Sequence, residues 1–235
     1  MKGTLYLIPN TLGNPDPRLT IPESVSRLAT RLSVFIVEDL RNARRYLKKL
    51  DPDLDIDALK FHIMNEHTPD GELHGMLTEL MQGDSAGIIS EAGMPGIADP
   101  GAKLVKLAHE NDIRVLPLTG PSSIMMALMA SGLNGQQFRF LGYLPVKKPE
   151  RIKMLVELDR IISGSHETQI FIETPYRNNA LFDDIVKHCN PATLLTIALD
   201  ISLESEEIHT WSIGTWKAKK PELHKRPAVF LLGES

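Results

Sequence analysis

The chain has a single cysteine, Cys189, in 235 residues. An intrachain disulfide is therefore impossible, and so is a thiolate zinc cage. It lacks any apolar run near the ~18 residues that a transmembrane helix needs. The apolar stretch Leu5-Tyr6-Leu7-Ile8 is cut off by Pro9, too short for a signal-peptide core of about 7–15 residues. Positive charge is not in excess: 26 Lys and Arg stand against 30 Asp and Glu, a formal net charge of −4. That excludes a globally basic nucleic-acid coat protein but not a local basic surface. No Gly-x-Gly-x-x-Gly follows the first apolar run, and no Gly-x4-Gly-Lys-Ser/Thr exists, which argues against a Rossmann dehydrogenase and a P-loop NTPase. No Gly-x-Ser-x-Gly nucleophile elbow is present. His62, His67 and His74 lack the i,i+4 spacing of a helical zinc pair, so no metal site is expected. The expectation is a cytoplasmic, soluble protein without a membrane partner.

What is present is ordinary globular composition, 42% apolar and 24% charged. Strand-like runs at Thr4–Ile8, 34–37, 60–64, 86–89 and 114–118 alternate with helical spacing at 24–32, 40–50, 73–81 and 101–108. This β-loop-α alternation predicts a mainly parallel sheet. The helix over 40–50 has an apolar face (Ala43, Leu47, Leu50) and a basic one (Arg41, Arg44, Arg45, Lys48). The second half predicts helices at about 150–163 and 178–188. Its strands fall at 169–173, 194–200, 209–213 and 227–232. The last three have no helix-length spacer between them, which predicts hairpins and a mixed sheet. The fold class is α/β, with one α/β domain over 1–118 and a second over 119–235.

Three Gly/Pro/Ser loops follow strands in the first half: 9–17, 90–96 and 119–123. In open α/β sheets the ligand crevice lies beyond the carboxyl ends of the strands, so these loops are candidates for one shared site. Glycine permits close backbone approach, and Ser or Thr offers hydroxyls. Met125, Met126 and Met129 sit at helical spacing and are read as core or dimer packing.

The first loop, Leu7-Ile8-Pro9-Asn10-Thr11-Leu12-Gly13-Asn14, resembles the opening of the tetrapyrrole (corrin/porphyrin) methylase superfamily. It is most similar to the branch that methylates a 16S ribosomal RNA ribose 2′-hydroxyl. Matching motifs follow in order: Glu38-Asp39-Leu40-Arg41, Asn65-Glu66-His67, Ser90-Glu91-Ala92-Gly93-Met94-Pro95, Asp99-Pro100-Gly101, Gly120-Pro121-Ser122, Gly142-Tyr143-Leu144-Pro145 and Glu173-Thr174-Pro175-Tyr176-Arg177. The ordered set spans nearly the whole chain. The resemblance implies S-adenosylmethionine (SAM) as cofactor, held in a cleft between two α/β domains, and a homodimer. It implies cofactor contacts at Pro9, Ser90, Glu91, Ala92, Gly93, Met94, Ser122, Ser123, Ile172, Ala198, Pro227 and Ala228. The function it implies is transfer of a methyl group to a ribose 2′-hydroxyl of small-subunit ribosomal RNA. Alternatives are a tetrapyrrole or other small-molecule acceptor, or SAM binding with little catalysis.

A ribose hydroxyl acceptor benefits from a general base. Glu38, Asp39 and Glu173 sit at strand ends and are the candidates. Arg41 and Arg177 could hold a phosphate or orient a carboxylate. Three basic clusters could meet RNA phosphates: Arg41/Arg44/Arg45/Lys48, Lys147/Lys148/Arg151/Lys153 and Lys217/Lys219/Lys220/Lys225/Arg226. Departures from the family pattern are Glu91 for Asp, Met94 for Thr, Leu40 for Thr, Thr174 and Tyr176 for Ser and His, and Leu199-Asp200-Ile201-Ser202 for Arg-Glu-Leu-Thr. The chain is also expected to be a short form without the C-terminal helical extension of the ribosomal RNA branch.

Overall fold

The computed structural model describes residues 1–65 and 67–234, and it leaves out the side chain of Asp70. Glu66 of the Asn65-Glu66-His67 motif and Ser235 lie outside the described residues. The chain divides into two compact units, Met1–Ser122 and Ser123–Ser235.

The first unit is a parallel sheet of five strands: β1 (Thr4–Ile8), β2 (Val34–Val37), β3 (Lys60–Ile63), β4 (Ala86–Ile89) and β5 (Arg114–Pro117), in the order β3-β2-β4-β1-β5. All four residues of β2 and of β4 are buried, as strands covered on both faces require, and both read as unbroken apolar runs. On one face lie α1 (Glu23–Ala29) and α2 (Leu40–Leu50), which bury Ala29, Ala43, Tyr46 and Leu47 against Ile8, Phe35 and Val37. On the other lie α3 (Asp70–Met76), α4 (Thr78–Gln82) and α5 (Gly101–Glu110), whose Leu73, Leu80 and Leu104 pack, with Leu77 between the first two helices, on Leu5, Ile36 and Ile88.

The helix expected over 73–81 is therefore two. Leu77 sits at their junction, and its N–H reaches back only three residues, to the His74 carbonyl. That is the tighter turn of a 3₁₀ helix. Gly83, at φ 113°, ends the second helix.

The second unit begins with α6 (Ser123–Ser131). Its sheet contains β6 (Phe138–Tyr143), β7 (Thr168–Ile172), β8 (Leu194–Leu199), β9 (Glu207–Ser212) and β10 (Ala228–Gly233), in the order β6-β7-β10-β8-β9. Only the β6–β7 pair is parallel, so the sheet is mixed, as the sequence predicts. The helices α7 (Lys148–Ser165), α8 (Asn178–His188) and α9 (Ile213–Lys219) share one core with Phe171 and Phe230, whose rings stack at 5.9 Å. Cys189 is buried in that core, and burial pushes its thiol up to about 12, so it acts as a small apolar side chain.

Two expectations are corrected here. A helix does separate the last two strands: α9, capped by Ser212, whose Oγ accepts from the Thr215 N–H at 3.2 Å. β9 and β10 are not a hairpin either, because β10 inserts between β7 and β8. The strand β6 was not expected. It is an edge strand with Gly142 at φ 67° and a register shift between Phe140 and Tyr143. Met125 and Met129 are exposed, Met129 at 84%, so they are not core residues. Among the described residues, no helix is long and apolar enough to cross a membrane.

Candidate active site

In the first unit β1 and β4 are neighbours, and their following connections leave for opposite faces of the sheet, toward α1 and α5. Such a switch point opens a crevice at the carboxyl edge. The loops after β1, β4 and β5 meet there. Asn10 joins the first two. Its N–H donates to the Gly93 carbonyl at 2.8 Å, and its Nδ2 donates to the carbonyls of Ser90 (2.9 Å) and Glu91 (3.1 Å). Its Oδ1 accepts from the Thr11 N–H at 2.8 Å. Asn10 is 8% exposed, and it was missed among the candidate residues.

Pro9 is fixed from two sides. The buried Tyr46 hydroxyl donates to its carbonyl at 2.6 Å, and burial pushes that phenol up, keeping it a protonated donor. Gly120 of the third loop lies against the Pro9 ring so closely that an added Cβ would stand 2.2 Å from Pro9 Cβ. Gly93 has φ +69°, the left-handed region that favours glycine. Ser90 is buried, with its Oγ donating to the Ala92 carbonyl at 3.3 Å. Ala92 is exposed, and Met94 and Ser122 are half-buried.

Carboxylates crowd the same edge. Glu38 follows β2 and is half-buried. Burial holds its carboxyl above the usual range, the charges of Asp99 and Glu91 add to the rise, and a hydrogen bond from the Glu91 N–H opposes it. Glu91 accepts from Asn42 Nδ2 at 2.6 Å. Asp99 Oδ1 accepts the N–H groups of Gly96 (2.6 Å) and Gly101 (2.9 Å), closing the turn that starts α5, and burial pushes its carboxyl up. Asp99 also lines a cavity of about 380 Å³ with Met64, Asn65, Thr68 and Lys103. Asp39 caps α2 through the Asn42 N–H at 2.8 Å. Arg41 lies exposed in the first turn of that helix.

In the second unit, antiparallel pairing brings the start of β10 between the carboxyl ends of β7 and β8. Val229 sits opposite Ile172 on one side and Ala198 on the other. Ile172, Ala198, Pro227 and Ala228 thus share one sheet edge. Ser123 opens α6. Glu173, at the same edge, is 5% exposed, and its Oε1 accepts from Arg177 Nε (2.9 Å), Arg177 Nη2 (2.5 Å) and the Thr174 N–H (2.7 Å). In the divergent stretch Leu199 closes β8 and 200–202 turn away from it, with Asp200 at φ 49°. Asp200 accepts from Arg226 Nε at 2.7 Å and Ser205 Oγ at 2.9 Å. Tyr176 is exposed.

The basic clusters differ in what they leave free. Arg44 pairs with Asp57, and Lys48 donates to the Pro52 carbonyl at 2.7 Å. Arg151 is buried against Asp184 at 2.6 Å, and Lys148 Nζ lies 3.5 Å from the same carboxylate. In the third cluster Arg226 is held by Asp200 and Glu207, while Lys217, Lys219 and Lys220 are exposed. Among the described residues, no group of three His, Cys, Asp or Glu side chains is placed to hold a metal ion.

No protein-family model matches the chain. Curated relatives do. Ribosomal RNA small subunit methyltransferase I of Micromonospora olivasterospora is 34% identical over 87% of this chain and 61% of its own length. The protein of the same name from Halalkalibacterium halodurans is 32% identical over 79% of this chain and 60% of its own length. That of Escherichia coli O157:H7 is 28% identical over 99% of this chain and 78% of its own length. The chain thus spans about three fifths of the length of the first two relatives. Among solved structures, the methyltransferase CobJ aligns with a TM-score of 0.65 at 15% identity, over 99% of this chain and 95% of its own. Uroporphyrin-III C-methyl transferase from Thermus thermophilus, complexed with S-adenyl homocysteine, aligns with a TM-score of 0.60 at 16% identity, over 99% and 98%. The chain has the fold of these two tetrapyrrole-pathway methyltransferases, and in sequence it is similar to the ribosomal RNA small subunit methyltransferases I, as its motifs implied.

Proposed function

We propose that this chain is a SAM-dependent methyltransferase that modifies a ribose 2′-hydroxyl of small-subunit ribosomal RNA, acting as a cytoplasmic homodimer. The observation that carries the reading is the convergence of three loops at the β1/β4 switch point, with Asn10 tying two of them and Gly120 admitting the third. The names of the relatives support small-subunit ribosomal RNA as the acceptor, and the ribose 2′-hydroxyl rests on the motif resemblance. When bound, SAM supplies an electrophilic methyl group on a sulfonium sulfur.

The residues fit that cofactor. In the first unit the backbone of Ser90, Glu91, Ala92, Gly93 and Met94 is held in place, and Pro9 and Ser122 flank it. In the second unit, Ser123, Ile172, Ala198, Pro227 and Ala228 offer apolar side chains and one hydroxyl. The chain's main task is positioning, since holding methyl carbon and acceptor oxygen about 3–3.5 Å apart removes much of the barrier.

Glu38 takes the proton from the 2′-hydroxyl. Its raised proton affinity makes it a stronger base than an ordinary surface carboxylate. Asp39 is engaged as a helix cap and Glu173 as the partner of Arg177, so both position backbone around the site. Arg41 is exposed and free to meet a phosphate. The exposed Met125 and Met129 of α6 support a second copy of the chain as partner, and sedimentation of Met129→Glu against wild type tests it.

The experiment for the activity is calorimetry with SAM, followed by tritium transfer from SAM to small ribosomal subunits of cells lacking this protein. Binding with transfer supports the reading. Transfer to uroporphyrin and not to RNA, or binding with no transfer at all, overturns it.

A further inference from the structure

In the second unit, β9 and α9 build an aromatic cluster with Lys219 over one of its rings. Trp216 is its fixed base. It is 2% exposed, donates from Nε1 to the Leu195 carbonyl at 2.7 Å and meets Phe182 edge-on at 6.2 Å. The Trp211 ring leans against it, tilted by 55°, with centroids 4.5 Å apart. The His209 ring, two residues along the same strand face, stacks on Trp211 at 4.5 Å and 11°. Burial falls along the series, from buried Trp216 through half-buried Trp211 to exposed His209. Lys219 Nζ lies 4.1 Å from the Trp211 centroid.

These rings and Lys219 border a cavity of about 270 Å³. That is below the range of about 300–1,000 Å³ typical of drug-sized ligands. It suits one flat ring system better than a whole cofactor. Lys217 and Lys220 are also exposed, and none of the three lysines has a carboxylate partner among the described residues. Glu207, which also lines the cavity, is paired with Arg226 at 2.8 Å, and of the carboxylates close in sequence Glu206 accepts from the Ser202 N–H at 2.7 Å and Glu222 from the His224 N–H at 3.0 Å.

An exposed His209 ring backed by Trp211, next to lysines without carboxylate partners, matches a nucleobase followed by its phosphates. Base stacking on aromatic rings with lysine contacts to the backbone is how single strands are held without sequence readout. A duplex keeps its base faces buried and cannot use such a platform. We propose that His209, Trp211 and Lys219, with Lys217 and Lys220, form a docking platform for a single-stranded segment of the RNA substrate. The proposal rests on the RNA reading above and names a part of the substrate that reading leaves open.

Trp211 and Trp216 are the only tryptophans in the sequence, so tryptophan emission reports on this platform alone. The full chain is titrated, without SAM, with a single-stranded oligoribonucleotide of mixed sequence and with the same strand annealed to its complement. The single strand quenches the emission and the duplex does not. His209→Ala, an exposed substitution, weakens binding about tenfold, the lower part of what a stacked base contributes. Lys219→Gln lowers the salt slope by about 0.7, the share of one phosphate on a single strand. Circular dichroism of both variants matches wild type.

Absence of quenching, equal quenching by the duplex or by polyglutamate, or unchanged affinity in His209→Ala overturns the platform. The two readings fail separately. Oligonucleotide binding that depends on His209, with no methyl transfer to any RNA, removes the methylation reading alone. Methylation of small subunits at an unchanged KM by His209→Ala removes the platform alone.

Discussion

Replacing Asn10 tests the bridge at the switch point. Both protons of its Nδ2 are engaged, with the Ser90 and Glu91 carbonyls at 2.9 and 3.1 Å. Asn10→Ala removes both bonds and leaves buried carbonyls without their donor. At about 1 kcal/mol per bond, plus part of a desolvation penalty, the loss is about 2–3 kcal/mol. For a unit of this size that lowers its unfolding midpoint by about 8–12 °C, at about 4 °C per kcal/mol. Asn10→Asp is nearly isosteric but turns carboxylate lone pairs toward the same two carbonyls. It is therefore less stable than Asn10→Ala at neutral pH, and it recovers as acid protonates the new carboxyl and restores one donor. Scanning calorimetry of the three proteins across pH gives the ranking. Asn10→Asp equal to wild type at neutral pH, or more stable than Asn10→Ala there, refutes the reasoning.

Gly120→Ala places a methyl 2.2 Å from the rigid Pro9 ring. Overpacking of this kind costs about 1–3 kcal/mol, and calorimetric SAM affinity falls at least tenfold as the loops part. Burial, with the charge of Asp99, holds the folded-state proton affinity of Glu38 above the usual carboxylate range. The folded protein therefore binds more protons than the unfolded one, and stability falls as pH rises from about 4.5 through the raised value. Glu38→Gln flattens that fall in urea titrations across pH, and it abolishes methyl transfer while SAM still binds. Arg177→Ala leaves the buried Glu173 carboxylate uncompensated and costs about 3 kcal/mol, more than Arg177→Ala adds in a Glu173→Gln background. A double-mutant cycle by denaturation checks it.

What was legible in the sequence was what local pattern encodes. β2 and β4 are buried on both faces, so Val34-Phe35-Ile36-Val37 and Ala86-Gly87-Ile88-Ile89 read directly as strands. The three loops were legible because glycine and proline mark turns wherever they fall. β6 was not, because an edge strand tolerates Arg139 and the Gly142 bulge, and both blur the alternation. α9 was hidden by its seven residues, too few for a helical period to show. Long-range relations were out of reach. Asn10 meets Ser90 across 80 positions, and the pressure on Glu38 comes from burial and from Asp99. Arg151 read as a solvated phosphate ligand because its charge was visible and its partner Asp184 was not.

Mapping the modified atom decides whether the chain methylates a ribose of ribosomal RNA. Small ribosomal subunits from cells lacking this protein are incubated with the purified chain and SAM. The RNA is then digested to nucleosides and fragments and read by mass spectrometry. The expected product carries one new methyl group on a ribose 2′-oxygen at a single position, and the group is absent with Glu38→Gln. A methyl group on a base, labels scattered over many riboses, or unmodified RNA with SAM still bound contradicts it.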